Sequence, residues 1–68
     1  MKIIYDAKTD SLNLFFSNSK IHESDEEKEG FIMDFDKKGN PVSIEILDAS
    51  TRVPDFMAMN FEVRGLVS

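Results

Sequence analysis

His22 is the only histidine of the chain, and Glu23, Asp25, Glu26, Glu27 and Glu29 follow it closely. A histidine beside several carboxylates is a donor set for a divalent metal, or an acid–base pair. Asp34 and Asp36 alternate onto one face of an extended segment, and Glu45 is placed to meet them from the next. Three such acids suit a hard cation or a glycosidase-like carboxylate pair. Both sets have a plainer explanation: dense carboxylates make a solvated loop, and alternating acids keep the outer face of a strand wet. Asp36-Lys37-Lys38-Gly39-Asn40 has the residues of a calcium loop without its spacing or terminal glutamate, and reads as a turn. The three glycines are far apart, so no phosphate-cradling loop exists. A Ser/His/Asp triad would have to draw on His22 in the least regular segment. The preferred reading has no catalytic residue, no metal and no cofactor. A metal-dependent or hydrolytic enzyme using His22, or Asp34, Asp36 and Glu45, is the alternative.

The elements around these residues are mostly strands. Ile3 and Tyr5 share one face of Lys2 to Asp6, with Ile4 on the other. After a polar turn, Leu12, Leu14 and Phe16 share a face of Ser11 to Ser17, opposite Asn13 and Phe15. These two segments form a hairpin. Phe31, Met33 and Phe35 alternate with Ile32, Asp34 and Asp36. A turn carrying Gly39 and Asn40 then leads to Pro41, at the start of a strand whose Val42, Ile44 and Ile46 face inward. Leu47 breaks the alternation where the chain leaves the sheet. Asp48 or Ser50 is placed to cap a short helix beginning near Thr51, with Pro54 in its first turn.

Residues 18–30 fit this scheme least. Ser24 and Glu27 have capping-box spacing, but no apolar stripe follows. An irregular crossing anchored by Ile21 and ended by Gly30 is expected. Phe61 and Val63 read as a fifth extended segment ended by Gly65. The expected fold is mainly β, at the margin of α+β. It is a single domain over residues 1–68, a four-stranded antiparallel meander with a short helical cap and a fifth strand near the C-terminus.

Size and charge narrow the function further. A chain of 68 residues without cysteine has a small core and no staple. A homodimer that completes the core and covers the sheet edges is therefore expected. Thirteen acids against eight bases give a net charge of −5, which repels nucleic acid and anionic lipid unless lysines cluster, and in sequence they are scattered. Tyr5, Phe15 and Phe16 could stack bases, but no basic groove accompanies them. No apolar run reaches the length of a spanning helix, and Asp6 arrives too early for a signal-peptide core. The lack of thiols fits a cytoplasmic setting.

Residues that look wasted on a monomer point to an interface. Ile4, Phe15 and Ile32 fall on the outward face. Phe56, Met57, Met59 and Phe61 make a soft apolar stretch suited to a subunit seam or a protein partner. Glu23, Asp25, Glu26, Glu27 and Glu29 would steer a small basic protein.

Lys2-Ile3-Ile4-Tyr5-Asp6, Asp10-Ser11-Leu12 with Leu14, Gly30 to Asp36 with Gly39, and above all Val42 to Ser50 occur in an order that resembles domain of unknown function family 2283. The resemblance covers roughly the first three quarters of the chain. It departs in the middle strand, where Phe31 and Phe35 stand in places often held by Val or Tyr. The resemblance implies a stand-alone cytoplasmic β-rich unit with no established catalytic residue. It also implies an antitoxin-like role, because some members sit beside small toxin-like proteins. The functional expectation is a non-enzymatic protein-interaction module, with a purely structural homodimer as a further alternative.

Overall fold

A computed structural model describes residues 1–65 of the chain. Five antiparallel strands form one sheet: β1 (Lys2–Asp6), β2 (Ser11–Phe15), β3 (Glu23–Lys28), β4 (Phe31–Phe35) and β5 (Pro41–Ile46). A four-residue helix, α1 (Ala49–Arg52), follows. The mainly β class, both expected hairpins and the helical cap are present.

The sheet differs from the sequence expectation in two details. The strand order is β1-β2-β5-β4-β3, so the second hairpin does not simply continue the first. Instead β5 pairs with β2, and β3 lies at the far edge. The fifth strand is also the acidic segment rather than the C-terminal one. Residues 61–63 pair with no strand. β3 has poor strand propensity and every residue of it is exposed. It forms because Glu29 and Gly30 turn the chain back on β4, Gly30 supplying the required positive φ of 83°. The Glu26 carboxylate then accepts the Gly30 N–H at 3.0 Å.

Strand alternation gives the sheet two faces. On the first, Tyr5, Leu12, Ile46 and Phe31 form one row across four strands, and Ile3, Leu14, Ile44, Met33 and Asp25 form the next row across all five. The core lies over the first of these rows. Leu12, Ile46 and Ala49 are its buried centre, with Tyr5, Phe31, Val53 and Phe56 packed around them. The Phe56 ring packs against Tyr5, tilted by 44° with centroids 4.5 Å apart. The Arg52 guanidinium lies 5.5 Å over the Phe31 ring.

The helix begins at Ala49, two residues earlier than expected, and stops before Pro54. Val53, at φ −132° and ψ 71°, has left the helical region, which the residue before a proline disfavours. Asp48 occupies the N-cap but sits in the left-handed region and makes no side-chain cap bond. Asp10, in the turn between β1 and β2, does that work. Its backbone oxygen accepts the Ala49 N–H, and its carboxylate accepts the Ser50 N–H and hydroxyl.

Candidate interaction surface

The cap covers only part of the first face. Beyond it, Ile3 is 43% exposed and Phe16 39%, with Leu14, Ile44 and Met33 half-buried between them. Glu23 and Asp25 border this open strip, opposite Phe35 and Met33 on β4. Residues 57–65 do not fold back over it: Met57 is 82% exposed and Phe61 87%. Phe56 itself belongs to the core periphery, where it completes the protein's own cap. The radius of gyration is 13.7 Å, against roughly 11 Å for a compact chain of this length. Flat shape and open apolar strip have one cause, a sheet with too little chain to cover it.

The second face mixes apolar and polar residues. Ile4, Asn13, Glu45, Ile32 and Glu26 form a row across the five strands, and Phe15, Ser43, Asp34 and Ser24 a row beside it. The hydrophobic cluster contains none of these residues. Ile4 is exposed, and Phe15 and Ile32 are half-buried. Asp34 organises the second row, accepting the Ser24 hydroxyl on one oxygen and the Ser43 hydroxyl on the other, at 2.6 Å. Ser43 is buried, so this bond satisfies a group that would otherwise be stranded.

The three acids of the hydrolytic reading do not converge. Asp34 is held by the two serines, and Glu45 lies diagonally across from it, opposite Ile32. Asp36 has left β4, contrary to the sequence expectation. Its carboxylate accepts the Lys38 and Asn40 N–H groups at 2.9 Å, closing the turn. His22 donates its backbone N–H to Phe35, and its side chain is exposed. Among the described residues no three His, Asp or Glu side chains gather as a metal site. The acids of β3 divide between the faces, Glu23 and Asp25 on the first and Glu26 on the second. Glu27 lies at a register shift and Glu29 in the turn.

One grouping is absent from the linear pattern. Lys20, Lys37 and Lys38, far apart or merely adjacent in sequence, line an open cavity of about 580 Å³ with Ile21, His22 and Asp36. The crossing from β2 to β3 and the β4–β5 turn bring them together. The sequence expectation of scattered lysines therefore does not hold at this end of the sheet.

The fold and its surfaces define a small antiparallel sheet module with one partly capped face and one mixed face. A family model described as "Protein of unknown function (DUF2283)" matches residues 2–50, and the chain belongs to that family. The match runs from β1 into α1 and includes the whole sheet. No curated protein and no solved structure matches the chain. No helix among the described residues is long and apolar enough to cross a membrane.

Proposed function

We propose that this protein is a non-enzymatic interaction module that masks a small basic protein stoichiometrically, in the manner of an antitoxin. The carrying observation is the second face, where Ile4, Phe15 and Ile32 stand outside the core among fixed polar groups. This pattern of apolar anchors within a polar rim suits a specific protein contact. The all-exposed acidic strand β3 at its edge gives the approach a sign and favours a basic partner. The net charge of −5 adds to this preference for a basic partner. A cytoplasmic setting is consistent with a chain lacking cysteine.

The test is a pull-down from the native lysate with the wild-type protein and an F15S/I32S variant, each checked for folding by circular dichroism. The expected result is one small basic protein at equal stoichiometry, released by salt and lost from the folded variant. Absence of a stoichiometric partner, or capture that ignores both substitutions, would overturn the reading.

A further inference from the structure

The outer edge of β1 is open. Among the described residues no backbone hydrogen bond reaches it from outside the β1–β2 ladder. Unlike β3, this edge is not guarded by like charges. It reads Lys2-Ile3-Ile4-Tyr5-Asp6, with Ile3 and Ile4 each more than 40% exposed. An open apolar edge is a template for another strand.

The residues of β1 are also complementary to themselves. Antiparallel pairing about a two-fold axis at Ile4 sets Lys2 against Asp6 of the second copy, Asp6 against its Lys2, and Ile4 against its Ile4. These pairs lie on the second face. On the first face Ile3 meets Tyr5 of the second copy. Opposite charges directly across a strand pair attract, while like charges there repel. The same operation on β3 would bring acids together instead, so the two edges differ in kind.

This pairing also offers cover for the open strip. Phe56 packs against Tyr5, so the exposed stretch that follows starts at the β1 edge. In the paired arrangement Tyr5 stands next to the second copy's Ile3, the first residue of its open row. Counting strands at about 4.8 Å, the distance from β1 of one copy to β4 of the other is roughly 19 Å. Residues 57–63, when extended, span up to roughly 23 Å. Met57, Met59, Phe61 and Val63 can therefore reach along the row of Ile3, Leu14, Ile44 and Met33.

We infer that β1 pairs with β1 of a second copy in a two-fold dimer, and that residues 57–63 of each chain cover the open first face of the other. This contact uses the sheet edge and the first face; at the edge it shares Ile4 with the partner contact on the second face, and F15S/I32S tests that contact without changing β1.

Sedimentation velocity and a cysteine scan test it on the full chain. K2E places acids opposite Asp6 twice in each dimer, and should weaken association about tenfold. K2E/D6K reverses both members and should restore it. The chain has no native cysteine, so I4C under mild oxidation should give a single intermolecular disulfide, whereas T9C should not. F61S/V63S should also weaken the dimer about tenfold without lowering the strand signal in circular dichroism. A monomer at 100 µM, or a dimer indifferent to K2E and not linked by I4C, would overturn the β1 pairing. A dimer indifferent to F61S/V63S would overturn the exchanged cover. Neither result depends on F15S/I32S, which reads the partner contact.

Discussion

Asp10 caps a helix that begins 39 residues away: its carboxylate accepts both the N–H and the hydroxyl of Ser50, at 3.1 and 2.7 Å. The same carboxylate accepts the Tyr5 hydroxyl at 2.7 Å. One side chain thus ties β1, the first turn and α1 together. Asp10 pays for this position with a left-handed backbone, φ 54°, which Asp and Asn tolerate better than other non-glycine residues.

These bonds set a pH dependence. The hydrogen bond from Tyr5, then those from Ser50, favour the ionised carboxylate and hold Asp10 below its ordinary value of 3.8. A depressed carboxyl contributes stability above its unfolded pKa and loses it as pH falls through the folded one. Tyr5 is the mirror case. Its bond to Asp10 favours the neutral phenol and raises its pKa above 10.0, so its contribution is complete below that value and is lost as pH rises through the raised one. We expect D10N, which keeps a residue suited to the left-handed backbone, to lower the melting temperature at pH 7. Its acid limb below pH 4 should be shallower than that of the wild type. Thermal unfolding followed by circular dichroism from pH 2 to 11 checks both limbs, with Y5F flattening the alkaline one.

Gly30 and Arg52 are coupled in the same corner. A Cβ on Gly30 would lie 2.6 Å from Arg52 Cζ, while at Gly39 it would meet nothing within 4 Å, although the two φ values are 83° and 82°. G39A therefore measures the backbone cost alone, about 1–2 kcal/mol. G30A should cost more, because Arg52 must leave its seat on Phe31. In an R52A background the excess should vanish, and a denaturant-unfolding cycle over the four variants reads the difference.

How much of this was legible in the sequence depended on where each element finds its partner. The hairpins β1–β2 and β4–β5 are written in alternation, because their buried row is local and regular. Strand β3 is not, because an edge strand buries nothing and carries no apolar period. Gly30 and the pairing with β4 decide it. The sequence puts the helix start two residues late because its capping group is Asp10, which no local motif reveals. The acids Asp34 and Asp36 share an alternation in sequence, but Asp36 is drawn into its own turn. Lys20 joins Lys37 and Lys38 only because the β2–β3 crossing passes the β4–β5 turn. Of the residues the sequence points to for an interface, Ile4, Met57, Met59 and Phe61 are exposed, while Phe15 and Ile32 are half-buried.

The core is small enough for a single truncation to be decisive. Leu12 is 3% exposed and sits between Tyr5 and Ile46 under Ala49. L12A should cost about 2–4 kcal/mol, a large share of the stability of a domain this size. I21A, at an exposed position on the crossing, should stay within about 0.5 kcal/mol of the wild type. Urea unfolding of both variants, at one protein concentration so that self-association is held constant, provides the comparison.

The acidic strand is expected to act as a guard as well as a lure. β3 is an edge with every side chain exposed, and its unpaired backbone groups would recruit other strands if its charge were removed. Replacing Glu23, Asp25 and Glu27 by threonine changes three carboxylates to neutral strand formers and moves the net charge from −5 to −2. Glu26 is left in place because it holds the Gly30 N–H. The strand itself should persist or strengthen, since threonine prefers extended backbone. What should change is association: the variant should form species larger than the wild-type assembly in sedimentation velocity, increasingly so as protein concentration rises. Adding salt should push the wild type in the same direction, because screening weakens the repulsion between β3 edges. A variant whose size distribution matches the wild type at every concentration would show that the β3 edge is protected by its geometry and not by its charge.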